Sequence, residues 1–142
     1  MARMQDVGGA RVVLADLDEI ALLRSHIGKR QWDVVRETDY ILDPAQSGYR
    51  GVHLIVRKNS RLVEIQLRTK TMHDWADTVE RLGRNHGIEF KSGQGPQNIL
   101  DFLSVVADMN NASEMEHEVS PETLKKYHQL IQELGIEGGR DG

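Results

Sequence analysis

A chain of 142 residues, 39% hydrophobic and 28% charged, can bury one real core and is too short for a multidomain enzyme. It has no cysteine, no apolar run of membrane-spanning length and no basic-then-apolar leader, so the expectation is a cytoplasmic protein without disulfides, transmembrane helix or export signal. The net charge of −4 is uneven: residues 1–91 carry 15 Lys and Arg against 13 Asp and Glu, enough for a local phosphate-binding cluster, whereas residues 92–142 carry 3 against 9, which argues against wrapping long nucleic acid.

In chain order the first element is the apolar run 10–15, entered through Asp6-Val7-Gly8-Gly9, and its β-branched Val12 and Val13 predict a buried strand. Asp16 or Asp18 should cap a helix running to about His26, with Leu17, Ile20, Ala21 and Leu23 on its buried face and Gly28 as its stop. Residues 32–40 read as a second strand, and Asp33, Arg36 and Glu37 make it an exposed or edge one. Pro44 ends it.

Two short alternating strands follow, 52–57 and 61–68. Lys58, Asn59 and Ser60 between them supply hairpin-turn chemistry. In the second strand a period of two puts Val63, Ile65 and Leu67 on the core face and Leu62, Glu64, Gln66 and Arg68 on the other. His53 points away from Val52 and Leu54, to the side of Ile55 and Arg57.

Met72, Trp75, Ala76, Val79 and Leu82 then recur at helical spacing between Thr69 and Arg81, predicting an amphipathic helix with its apolar side on the sheet. Residues 83–95 read as a polar, glycine-rich connector. Helices are expected over 96–109, burying Ile99, Phe102, Leu103 and Val106, and over 121–134, burying Leu124, Tyr127, Ile131 and Leu134. Ser120-Pro121 should start the last helix and Gly135 stop it.

Two features suggest chemistry. In Gly48-Tyr49-Arg50-Gly51 the glycines let backbone approach a ligand, and an aromatic exposed on such a loop suits stacking on a base. The row Glu64, Gln66, Arg68 is either an ordinary solvated sheet face or a set of ligand contacts.

Asp39-Tyr40-Ile41, Pro44, Ser47-Gly48-Tyr49-Arg50, His53 and Val63-Glu64-Ile65-Gln66-Leu67-Arg68-Thr69, followed by Met72-His73, resemble the synthetase domain of the RelA/SpoT alarmone synthetases. Gln5-Asp6-Val7-Gly8-Gly9-Ala10-Arg11 is similar to the acid-bearing strand entry of the same family. The resemblance implies an α+β fold of the nucleotidyltransferase type: a mixed sheet of four or five strands flanked by helices, two of them C-terminal. It implies a synthetase-like core over 1–91 and C-terminal helices of the same domain over 92–136, while residues 137–142 have nothing to bury and should form a disordered tail.

The activity it implies is transfer of pyrophosphate from ATP to the 3′-hydroxyl of GDP or GTP, making (p)ppGpp. Asp6 would hold Mg2+, and Glu64 would join it or take the hydroxyl proton. Tyr49, on the loop of Ser47 and Gly48, would stack on the acceptor guanine. His53, Gln66 and Arg68 would contact phosphate or ribose, with Arg11 and Arg50 as further phosphate ligands. Each residue also has a plainer reading: Asp6 as a turn aspartate, Tyr49 as a half-covered loop tyrosine, His53 as a structural histidine, and Arg11 and Arg50 as solvent-facing charges. The resemblance further implies a homo-oligomer. His73-Asp74 resembles the HD pair of metal phosphohydrolases, but no further His and Asp are arranged as ligands, so it reads as helix surface and no hydrolase activity is expected.

Three positions depart from the family's pattern. Ala45 stands where a lysine that clamps acceptor phosphates is usual, and Gly51 replaces a serine. Only Met1 to Gln5 precede Asp6, where the family has its basic ATP-gripping segment. The chain as given is therefore expected to make little or no product. Three readings stay open: an active small synthetase, or a toxin relative acting on another 3′-hydroxyl such as a tRNA end; a catalytically impaired nucleotide-binding or regulatory relative; and a fragment of an active enzyme.

Overall fold

The computed structural model describes residues 8–29 and 32–135. Its elements are β1 (Gly8–Leu14), α1 (Leu17–Lys29), β2 (Asp33–Asp39), β3 (Val52–Lys58), β4 (Arg61–Thr69), α2 (Lys70–His86), a 3-10 turn (Phe90–Ser92), α3 (Gln97–Glu114) and α4 (Pro121–Leu134). The four strands form one mixed sheet in the order β1-β4-β3-β2, with β1 parallel to β4 and the other pairs antiparallel. This is the α+β architecture expected. Two compact units are present, Met1–Pro44 with Arg50–His73 and Ala45–Tyr49 with Asp74–Gly142. The tail expected over 137–142 lies outside the described residues.

In the first unit the hairpin is organised by its turn. Asn59 and Ser60 have φ of 54° and 65°, the two left-handed residues of a type I′ turn, whose twist matches that of the flanking strands. The turn sets the register Leu54↔Ile65 and Val52↔Leu67, so the apolar alternations of both strands fall on the same face. There Val52, Leu54, Val56, Ile65 and Leu67 close a core with Ile20 and Ile27 of α1. A fully buried Leu such as Leu67, 0% exposed, contributes about 1.5–3 kcal/mol.

Helix α1 starts where Asp16 accepts the Glu19 N–H through Oδ1 at 2.9 Å, while the Glu19 carboxylate accepts the Ala15 N–H at 2.9 Å. It runs through Gly28 rather than stopping there, and this brings Ile27 into the core, one helical repeat from Ile20. Ala21, expected inside, is exposed. The expectation of a buried first strand is also corrected. Among the described residues β1 is a sheet edge, bonded to β4 alone, and Val13 remains 43% exposed while Val12 packs against the core. Its apolar composition reflects one covered face rather than two. β2 is the opposite edge, as its charges predict.

Asp39 closes β2. Its Oδ1 accepts the N–H groups of Ile41 and Leu42, both at 2.9 Å, and its Oδ2 accepts from Arg24 Nη1 at 3.0 Å. Partial burial works against the charged form, but the two backbone donors and the Arg24 guanidinium outweigh it and hold the carboxyl below its usual range. The folded-state value is lower than the unfolded one, so the stabilisation is present above the unfolded value and lost as pH falls through the folded one. Asp39→Asn should thus lower the melting temperature at pH 7, with the deficit shrinking below about pH 4. A deficit independent of pH would show that charge plays no part.

In the second unit α2 continues beyond the expected Arg81 to His86. Gly83 permits this. The Ile88 N–H folds back onto the Gly83 carbonyl at 2.9 Å, and a Cβ at position 83 would stand 2.3 Å from the Ile88 oxygen. The supposed connector is therefore ordered by Phe90, which is 2% exposed at the head of the 3-10 turn. On α2 Trp75 is 8% exposed and its indole N–H donates to the Leu103 carbonyl at 3.0 Å.

Helix α3 runs five residues past the expected Met109 and buries Leu103, Val105 and Ala107. Its Phe102 stacks on Tyr127 of α4, with centroids 6.1 Å apart, and its Asp108 accepts from the Thr123 hydroxyl at 2.9 Å. α4 begins and ends as its sequence predicts. Ser120 Oγ accepts the Thr123 N–H at 3.1 Å, and Gly135 takes the left-handed conformation, φ 70°. Leu124, expected inside, is 39% exposed, and Leu130 is buried in its stead. Among the described residues no helix is long and apolar enough to cross a membrane.

Candidate active site

On the sheet face opposite α1, neighbouring strands bring polar side chains into a row. His53 pairs in register with Gln66, and Gln66 with Arg11 of β1, so all three project from the same face, joined by Glu64 and Arg68 two positions either side of Gln66. His53 Nδ1 lies 3.6 Å from Glu64 Oε2, and Gln66 Nε2 donates to Glu64 Oε1 at 3.4 Å. Arg68 Nη2 in turn donates to Gln66 Oε1 at 3.3 Å, and Nη1 lies 3.4 Å from His73 Nδ1. The edge of the Tyr40 ring meets His53, centroids 5.3 Å apart.

The row is graded in exposure. The Glu64 side chain is 36% exposed and that of His53 21%, whereas Arg68 is 2% exposed. Arg68 is therefore placed to orient Gln66 and His73, while Glu64 offers its carboxylate to solvent. Arg11 is exposed on the edge strand; Arg50 is 4% exposed. This corrects the plainer reading of Arg50 as a solvent-facing charge: a guanidinium so buried is held by partners. His73, read as helix surface, is half-buried against Arg68. Sequence reasoning places neither His73 nor Tyr40 in the site, although both stand next to residues that it does place there.

Among the described residues no group of three or more His, Asp or Glu is arranged to hold a metal ion. The other expected ligand, Asp6, lies outside the described residues. Glu64 itself fits a role with Mg2+, which keeps several waters and takes one or two carboxylates at an accessible position.

In the second unit the loop 45–49 is a tight turn: the Gly48 N–H donates to the Ala45 carbonyl at 2.8 Å, and the Ala45 N–H to the Tyr49 carbonyl at 3.0 Å. Ser47 Oγ accepts the Tyr49 N–H at 3.4 Å. Gly48, at φ 99°, lies against α3: a Cβ there would meet the Ala107 Cβ at 2.9 Å. Tyr49, expected to be exposed, is buried at 6%. The Lys91 ammonium stands over its ring, 5.5 Å from the centroid, and also bonds Glu80 Oε2 at 2.7 Å. A cavity of about 520 Å³ opens beside the loop, lined by Ala45, Gln46, Ser47, Lys91, Gln97 and Asp101 among others. Lys91 is not legible as a site residue from sequence because it falls in a stretch that reads as a connector. The lone Phe90 beside it is the signal that this stretch is anchored.

The four-stranded mixed sheet flanked by helices, two of them C-terminal, is an α+β fold of the nucleotidyltransferase type, with a carboxylate, a histidine and an amide aligned on one face of the sheet. A family model described as the region found in RelA / SpoT proteins matches residues 1–95. The chain belongs to the RelA/SpoT family. It is 32% identical over 127 residues to GTP pyrophosphokinase YjbM of Bacillus subtilis, covering 82% of this chain and 56% of that protein. Its structure is similar to that of small alarmone synthetase 1 from Bacillus subtilis bound to its product pppGpp, with a TM-score of 0.64 and 26% identity over 93% of this chain and 63% of that one. A GTP pyrophosphokinase family protein from Streptococcus pneumoniae gives a TM-score of 0.62 and 27% identity, over 89% of this chain and 61% of the other. The chain thus spans a little over half the length of that curated relative.

Proposed function

We propose that this chain is the synthetase module of a small alarmone synthetase, moving pyrophosphate from ATP to the 3′-hydroxyl of GDP or GTP. The observation that carries the reading is the Glu64 carboxylate, set between His53 and Gln66 on the polar face of the sheet. The acceptor oxygen attacks the β-phosphorus of ATP, the bond from that phosphorus to the α,β-bridging oxygen breaks, and AMP leaves. Glu64 takes the hydroxyl proton, and His53 and Gln66 hold the carboxylate toward the acceptor. Mg2+ would be held by Glu64 and Asp6; it supplies charge neutralisation on the phosphoryl oxygens. Arg68 keeps Gln66 and His73 in place, and Arg11, exposed on the edge strand, is available to phosphate.

The test is product formation from ATP with GDP or GTP in the presence of Mg2+, separated by ion-exchange chromatography. Pyrophosphorylated guanosine nucleotide and AMP should appear in equal amounts, slowly from the 142-residue chain and much faster once a basic ATP-gripping segment is placed ahead of Asp6. GDP binding without any product would replace the synthetase by a nucleotide-binding protein. The homo-oligomer implied by the resemblance is checked by light scattering on the same sample.

Tyr49 is the base platform in this reading. Base stacking on an aromatic is worth about 1–3 kcal/mol, so Tyr49→Ala should weaken GDP binding about tenfold or more, whereas Tyr49→Phe keeps the ring and should be nearly silent. Calorimetry decides: equal GDP affinity in wild type and a folded Tyr49→Ala variant removes the stacking role.

A further inference from the structure

We infer that Lys91 is a nucleotide-binding residue of the Tyr49 loop, whose ammonium exchanges the Tyr49 ring and Glu80 for the phosphates of the bound guanosine nucleotide. The inference rests on the proposed function in taking the Tyr49 loop as the acceptor site. Lys91 supplies the cation of the cavity beside that loop, where Ala45 presents a methyl group. The other polar lining is mainly hydroxyl and amide, from Gln46, Ser47, Gln97 and neighbouring serines. Its acid, Asp101, already accepts from Gln97 Nε2 at 2.8 Å. Lys91 is thus the lining group able to meet a phosphate charge, and about 520 Å³ lies within the range of small-molecule and cofactor sites.

The interactions of Lys91 are ones a nucleotide can take over. Its ammonium covers one face of the Tyr49 ring at 5.5 Å, so a base stacking on that face displaces it. The attraction between ammonium and ring is similar in size to the base stacking that replaces it, which makes the exchange nearly balanced at the ring. The ion pair with Glu80 is 2.7 Å long but about a third exposed on both sides, 36% and 35%, and pairs of that exposure contribute little. A displaced ammonium on a long flexible stem then finds in the same ligand the phosphate oxygens it binds best.

The experiment is calorimetry of the 142-residue chain with GDP and with guanosine, which lacks the phosphates, for wild type, Lys91→Ala, Lys91→Arg and Glu80→Gln. Lys91→Ala should weaken GDP about tenfold or more yet leave guanosine unchanged or tighter, since the base no longer has to displace the ammonium, while Lys91→Arg retains most of the GDP affinity. Glu80→Gln removes the competing carboxylate and should tighten GDP a few-fold. It also decides the matter should Lys91→Ala fail to fold, because a purely structural ion pair predicts weaker binding there. Unchanged GDP affinity in Lys91→Ala, equal weakening for GDP and guanosine, or no GDP binding by wild type overturns the inference. Lys91-dependent GDP binding with no product from ATP would sink the synthetase reading and leave this one standing. Product made by Lys91→Ala at the wild-type KM for GDP would do the reverse.

Discussion

Glu64→Gln should lower the rate of pyrophosphate transfer by about 10²–10⁴-fold, the range general base catalysis contributes. The amide has nearly the shape of the carboxylate and still accepts the hydrogen bond from Gln66 Nε2, now at 3.4 Å, so the sheet face should keep its arrangement. What disappears is the proton acceptor and the negative charge that a divalent cation needs. The melting temperature should scarcely change, because a side chain 36% exposed and 3.6 Å from His53 contributes little to folding. GDP affinity in the absence of Mg2+ should also persist. A variant retaining a third or more of the wild-type rate would remove Glu64 from the chemistry and return the polar row to a solvated sheet face.

Gly48→Ala should cost about 2–5 kcal/mol of stability, the sum of a strained backbone and an overpacked neighbour. The backbone stands at φ 99°, which L side chains rarely adopt, and the new methyl would sit 2.9 Å from the Ala107 Cβ and 3.3 Å from both the Ser104 Cα and the Trp75 ring. Neither α3 nor a fully packed Trp75 can retreat cheaply. The control is Gly135→Ala, at φ 70° with nothing within 4 Å of the added carbon, where only the backbone penalty of about 1–2 kcal/mol applies. Denaturant unfolding of both variants separates the two contributions. Equal effects would mean that the close approach to α3 carries no energy. Because Gly48 closes the turn that holds Tyr49, the same variant should lose GDP binding more steeply than stability alone predicts.

The local chemistry of the chain was legible where it depends on neighbours in sequence. The alternation in 61–68 assigns Glu64, Gln66 and Arg68 to one face whatever the rest does, and Asn59-Ser60 and Ser120-Pro121 specify a hairpin turn and a helix start through their own backbone preferences. The motif around Ser47-Gly48-Tyr49 and Val63 to Thr69 identified the family, since its order and spacing are linear properties. Burial was less legible, because it depends on partners distant in sequence. Val12 and Val13 are alike in composition, yet the edge position of β1 covers one and exposes the other. Leu124 and Leu130 trade places for a similar reason, since the apolar stripe of α4 is wide enough for either rotation until α3 chooses.

Thus the sequence by itself determined the four strands and four helices, the hairpin turn, the start and stop of α4 and the row of polar residues that a nucleotide chemistry would use. Only the tertiary structure decided that Arg68 is a buried support while Glu64 reaches solvent, that Tyr49 lies covered beneath Lys91, and that Gly83 lets residues 87–92 fold back into an anchored turn. The physical reason is common to all three. A residue's type and period state which way it points, but how much water reaches it, and which charge stands over it, are fixed by chain segments that approach from elsewhere.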